Sequence, residues 1–171
     1  PPHKQDKKCT DAKIRLEMVH RAVDGDELFE VSDCELHRQG PSYTLDTVRY
    51  FHKKYGPELP LYWLIGADSI PELPGWYHIQ QLVEECTLVT AGRPGSPSCC
   101  WDRFQNILNT RQIARLQKYL LATPLLDISA TEIRRRIRTG LAIRYLVPEP
   151  VQNFILQNQL YVSFSPGGQT G

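Results

Sequence analysis

Apolar residues recur along this chain with two periods, and the chain switches between them repeatedly. Ala12, Leu16, Val19 and Val23 form a stripe at helical spacing, which predicts a helix from about Asp11, capped by Thr10 and stopped at Gly25. Residues 28–31 read as a short strand. Gly40-Pro41 then breaks the chain, and Ser42 is placed to cap a second helix. Leu45, Val48, Phe51 and Tyr55 give that helix one apolar face, and Gly56-Pro57 ends it. Residues 61–65 are continuously apolar, as expected of a parallel strand buried on both faces.

The alternation continues to the far end. A short helix is predicted over 79–84, a strand over 87–90 and a loop over 95–100. Helical material follows over 104–117 and a strand over 119–125. Two helices close the pattern, one over 130–138 ending near Gly140, the other starting at Pro150 and burying Val151, Phe154 and Ile155. The polar, Gly-rich tail over 163–171 is expected to be disordered. Strands alternating with helices predict an α/β fold: a Rossmann-like open parallel sheet with helices on both faces, in a single domain over 1–162. Ligands of such sheets bind beyond the carboxyl ends of the strands, so the strand-to-helix turns are where chemistry belongs.

Composition narrows the class. The 171 residues are 41% hydrophobic and 23% charged, ordinary for a globular chain. A formal charge of +1, from 20 basic and 19 acidic residues, argues against a general nucleic-acid binder. No apolar run approaches the roughly 18 residues of a membrane span, and no signal peptide is legible. The five cysteines, Cys9, Cys34, Cys86, Cys99 and Cys100, show no C-x-x-C spacing and read as reduced thiols of a cytoplasmic protein. The five histidines show no zinc spacing, so no protein-bound metal is expected. The sequence allows a homo-oligomer.

Five segments carry candidate chemistry. Ser129-Ala130-Thr131-Glu132 fits a capping box, with Ser129 accepting from the backbone near Glu132 and Glu132 reaching back. Thr131 and Arg134 would add a hydroxyl and a guanidinium to the free N–H groups of that helix start, which together suit a polyphosphate. A capped helix with a solvated basic face, Arg134 to Arg138, accounts for the same residues. Asp68 directly follows the buried strand, where an acid serves a ribose, a metal or a simple N-cap. Trp76-Tyr77, after Pro74-Gly75, is placed to stack on a flat heterocycle or merely to pack. Ser42-Tyr43-Thr44-Leu45-Asp46-Thr47 opens a helix with hydroxyls and free N–H groups, fit for a carboxylate, a carboxamide or plain capping. His3-Lys4 is a basic pair, functional or solvated.

Taken in order, Pro1-Pro2-His3-Lys4, Ser42-Tyr43-Thr44-Leu45-Asp46-Thr47, Ile65-Gly66-Ala67-Asp68-Ser69, Gly75-Trp76-Tyr77 and Ile128-Ser129-Ala130-Thr131-Glu132-Ile133-Arg134 resemble the nicotinate-nucleotide adenylyltransferase family. The last is the most specific, being similar to the family's I-S-[SA]-T-x-I-R signature. The S-Y-T-x-D-T and G-W-Y pieces point to the nicotinate branch rather than the pantetheine-phosphate branch. The resemblance implies transfer of an adenylyl group from ATP to nicotinate mononucleotide, giving nicotinate adenine dinucleotide and pyrophosphate, with Mg2+ accompanying the ATP. It implies that Gly66, Asp68, Ser129, Thr131, Ile133 and Arg134 serve ATP, with Arg134 on the phosphates as the catalytic group. It implies that Lys4, Thr44, Thr47, Trp76 and Tyr77 serve the nicotinate nucleotide.

The family also opens on a strand and a G-x-F-x-P-x-H-x-G-H segment, which this chain does not contain. Loss of a central strand should bare sheet edges and apolar surface, so the chain on its own is expected to be inactive and poorly stable. Competing readings are a nicotinamide mononucleotide or other phosphate-ester adenylyltransferase, a non-catalytic nucleotide-binding module, and an RNA-binding domain using the arginine face.

Overall fold

In the computed structural model, residues 10–92, 101–123 and 128–162 are described. Their elements in chain order are α1 (Ala12–Val23), α2 (Thr44–Tyr55), β1 (Tyr62–Gly66), a 3-10 helix (Ala67–Gly75), α3 (Ile79–Glu85), β2 (Thr87–Ala91), a 3-10 turn (Trp101–Phe104), α4 (Thr110–Lys118), β3 (Leu120–Leu121), α5 (Ala130–Arg138) and α6 (Glu149–Gln157). They fall into two compact units, one built on residues 37–127, the other joining residues 8–36 to residues 128–171.

The first unit is an open parallel sheet in the order β1-β2-β3. Tyr62 stands opposite Thr87, Ile65 opposite Thr90, and Thr90 opposite Leu120. Parallel strands need crossovers; the chain supplies α3 between β1 and β2, and α4 between β2 and β3. Leu45 and Val48 of α2, Leu73 of the 3-10 helix, Leu82 of α3 and Phe104 are all but fully buried in one cluster. Each such side chain contributes about 1.5–3 kcal/mol by leaving water. Arg49 of α2 grips α3 from outside, donating to Glu85 at 2.6 Å and to Gln81 at 2.9 Å.

Four expectations in this unit change. Alternate residues of a strand face opposite sides, and on β1 only one side is covered: Ile65 is 7% exposed but Tyr62 is 60% and Leu64 67%. The run is apolar throughout, yet β1 edges the described sheet and no described element lies over Tyr62 and Leu64. Helix does not extend over 104–117, because Asn109 restarts it. The Asn109 side chain accepts from Gln112 N–H at 2.9 Å and Gln112 answers at 3.0 Å, a reciprocal box that fixes the start of α4 at Thr110. The strand expected over 119–125 pairs only at Leu120 and Leu121, and residues 124–127 lie outside the described part. Ser42 does not cap α2; Tyr43 holds that position and makes no side-chain cap. The loop expected over 95–100 lies outside the described residues.

The second unit packs helices. Ile143, Val151 and Ile155 form its core, with Met18, Ile133, Ile137 and Tyr161 closing around them. α1 is capped by Asp11, which accepts from Lys13 N–H at 2.8 Å, and not by Thr10, whose hydroxyl donates to the Tyr161 hydroxyl at 3.2 Å. Residues 28–31 form no strand. Asp26 instead accepts from the Leu28 N–H at 3.0 Å, an Asx turn, and Leu28 is 89% exposed. A β-prone run stays irregular without a partner strand to complete its ladder. α6 starts at Glu149, with Pro150 in its first turn. The tail over 163–171 lies outside the described residues. Among those described, no helix is long and apolar enough to cross a membrane.

Cys34 and Cys86 are free thiols. Burial pushes the Cys86 thiol up to about 12, which leaves on the order of one thiolate in ten thousand at pH 8. Peptide-resolved alkylation at pH 8 should therefore leave the Cys86 peptide unmodified until denaturant is added, whereas half-exposed Cys34 is labelled in the native state. Native labelling of Cys86 would show that its packing is wrong.

Candidate functional site

In the first unit the site residues gather where β1 ends. Gly66 closes the strand, and Asp68 sits exposed in the first turn of the following 3-10 helix. A Cβ at position 66 would meet the Asp68 Oδ1 atom. The carboxylate thus folds back over the strand's carboxyl end, where an α/β sheet offers side chains to a ligand. Pro71 and Pro74 keep this segment from becoming an α-helix. It ends at Gly75, and Trp76 follows in extended conformation, its N–H donating to the Leu73 carbonyl at 3.0 Å.

Trp76 is half-buried against the core of the unit. Its indole Nε1 is buried without a hydrogen-bond partner among the described residues, a condition that native structures rarely leave unrelieved. Tyr77 is 45% exposed and its ring stacks on Tyr43, centroids 4.2 Å apart at 23°. This stack joins the Trp76-Tyr77 turn to the start of α2, where Thr44 is the first helical residue. The structure therefore brings Thr44, Trp76 and Tyr77 into one neighbourhood. Thr47 is placed otherwise: it is 3% exposed, accepts from Arg38 Nη1 at 2.7 Å and donates to the Tyr43 carbonyl. Its hydroxyl supports the turn from within. Lys4 lies outside the described residues.

In the second unit, Ser129 caps α5 by accepting from the Glu132 N–H at 3.1 Å. The other half of the expected box is missing. Glu132 turns instead to Arg135, which donates twice at 2.7 Å and holds the Glu132 carboxyl below its usual range. A bidentate guanidinium outbids a single backbone N–H for a carboxylate. Ala130 and Thr131, the first two helical residues, keep N–H groups outside the intrahelical ladder.

The arginines differ in employment. Arg135 is paired with Glu132, and Arg136 donates to the Ala142 carbonyl at 2.8 Å. Arg134 touches only Thr131 at 3.5 Å, is exposed, and has no ion-pair partner among the described residues. Ile133 is half-buried and packs inward. Hydroxyl, free N–H groups, helix dipole and an unspent guanidinium thus meet at the start of α5, the donor set an anion needs.

Comparison with known proteins now decides the family. The cytidylyltransferase-like family model matches residues 1–136. Proteins named probable nicotinate-nucleotide adenylyltransferase match almost the whole chain. That of Moorella thermoacetica is 40% identical over 161 residues, covering 94% of this chain and 73% of its own. That of Exiguobacterium sibiricum is 40% identical over 163 residues, covering 95% and 79%.

The chain belongs to the nicotinate-nucleotide adenylyltransferase family.

The fold of this family member agrees. The Plasmodium falciparum nicotinic acid mononucleotide adenylyltransferase complexed with NaAD superposes with a TM-score of 0.67, covering 92% of this chain and 77% of that one at 19% identity. The same enzyme complexed with APC gives 0.62. Two residues of this candidate site carry no distinct signal in the sequence. Tyr43 stood inside a quoted motif, but its stacking partner lies in a distant segment. Arg38 has no periodic or motif signal at all, and only the folded chain shows that its guanidinium reaches Thr47.

Proposed function

We propose that the residues gathered here serve transfer of the adenylyl group of ATP to nicotinate mononucleotide, releasing nicotinate adenine dinucleotide and pyrophosphate. A phosphate oxygen of the mononucleotide attacks the α-phosphorus, the new P–O bond forms, and the bond to the bridging oxygen of pyrophosphate breaks. The protein supplies no nucleophile, so rate comes from positioning and charge stabilisation. The observation that carries this reading is the open, dipole-backed start of α5, with Arg134 unspent beside it.

In this reading Ser129 shapes the turn, Thr131 and Arg134 hold the phosphates, and Ile133 anchors the helix from behind. Gly66 and Asp68 receive a nucleotide at the end of β1, with Asp68 on ribose hydroxyls. Trp76 stacks on the pyridine ring, and Thr44 with Tyr77 fixes the carboxylate. The same reading gives Lys4 the mononucleotide phosphate. Thr47 acts behind the surface rather than on the ligand. Magnesium comes with ATP, where it neutralises phosphate charge. Among the described residues no group of three or more His, Cys, Asp or Glu could hold a metal ion.

Pyrophosphate release by the intact enzyme, with nicotinate and nicotinamide mononucleotides as rival acceptors, tests the assignment. Preference for the carboxylate acceptor supports it. ATP binding without turnover would leave a nucleotide-binding module instead. Trp76→Ala should raise the acceptor KM about tenfold or more, as loss of a stacked base generally costs about 1–3 kcal/mol, while the KM for ATP stays put. An effect confined to ATP would contradict the stacking.

A further inference from the structure

Arg38 is held in a way that ordinary surface arginines are not. Its Nη1 donates to the buried Thr47 hydroxyl at 2.7 Å, nine residues along the chain. Its Nη2 is buried and has no hydrogen-bond partner among the described residues. Thr47 in turn donates to the carbonyl of Tyr43, and Tyr43 stacks on Tyr77. One contact chain therefore runs from Arg38 through Thr47 and Tyr43 to Tyr77, spanning both segments assigned to the acceptor.

The electrostatics point the same way. Arginine stays charged at any working pH. A partly buried guanidinium is screened less than one in water. Here it lies against the first turn of α2, whose N-cap residue makes no side-chain cap, so its field adds to the positive end of the helix. Asp46 on the same turn opposes it, and Arg49, one turn on, is committed to Glu85.

We propose that Arg38 is a positioning and specificity-determining residue for the acceptor. It sets the α2 turn and the Tyr43–Tyr77 stack, and its charge biases that pocket toward a carboxylate over a neutral carboxamide. The proposal rests on the function assigned above. Arg38 touches no reacting atom; it acts through Thr47, Tyr43 and the field.

Kinetics of the intact enzyme with each acceptor test this. Arg38→Gln removes the charge. It should lower the carboxylate-over-carboxamide ratio of kcat/KM about tenfold, through the KM of the carboxylate acceptor, with the KM for ATP unmoved. Arg38→Lys keeps a charge without the planar fork and should retain most of the ratio. An unchanged ratio in Arg38→Gln, or an equal fall for both acceptors and ATP, overturns the proposal. If Arg38→Gln does not fold, Thr47→Val decides the positioning part. A several-fold rise in acceptor KM alone supports it, and an unchanged acceptor KM overturns it. Wild-type enzyme without carboxylate preference would sink the functional assignment itself; a wild-type preference that survives Arg38→Gln sinks only this inference.

Discussion

Arg134→Ala is expected to lower kcat/KM of the intact enzyme by about 10²–10³-fold, the usual cost of removing one donor aimed at charge that develops in a transition state. Three features lead to that size. The guanidinium stands on the first turns of α5 beside N–H groups that the Ser129 cap leaves open. No carboxylate neutralises it among the described residues, whereas its neighbour Arg135 is bound to Glu132. Charge-assisted contacts to phosphate are also stronger than neutral ones, and a guanidinium can make two. Arg135→Ala is the control, since its charge is already spent, and should cost activity only a few-fold. Steady-state pyrophosphate release measures both, with circular dichroism verifying the helix. Unchanged turnover in Arg134→Ala would move the phosphate site away from α5.

Phe104→Ala should destabilise the first unit by about 3–5 kcal/mol, the range for truncating a buried aromatic ring. Phe104 is 1% exposed within the main core cluster, its ring lies 5.5 Å from Trp101, and its carbonyl accepts from the Ile107 and Leu108 N–H groups. The chain's three tryptophans, Trp63, Trp76 and Trp101, all belong to this unit, so their fluorescence during urea unfolding reports it selectively. The midpoint should fall without a change of slope, because the unfolded surface is much the same. A loss below about 0.5 kcal/mol, the scale of surface substitutions, would mean that Phe104 is not core.

At several positions local chemistry decides, and there sequence and fold agree. Ser129 caps α5 where the Ser-Ala-Thr-Glu spacing placed it, Gly56 ends α2 with a φ of 104° that suits glycine, and β1, α3 and β2 stand within a residue or two of expectation. Failures cluster where a distant partner competes. The Thr10 hydroxyl goes to Tyr161 near the far end of the chain, and residues 28–31 have β-forming side chains but no strand beside them. The site divides in the same way. The motif carries Thr131 and Arg134 because a helix start is local, but nothing near Arg38 in the chain announces Thr47.

By itself, then, the order of residues determined the parallel α/β pattern and the family, since period, caps and motif spacing need only near neighbours. Tertiary structure alone decided which face of β1 is covered and that a partly buried guanidinium, that of Arg38, reaches Thr47 in the first turn of α2. Each of those depends on groups far apart in the chain competing for the same hydrogen bond or the same apolar surface, and that competition exists only once the chain has folded.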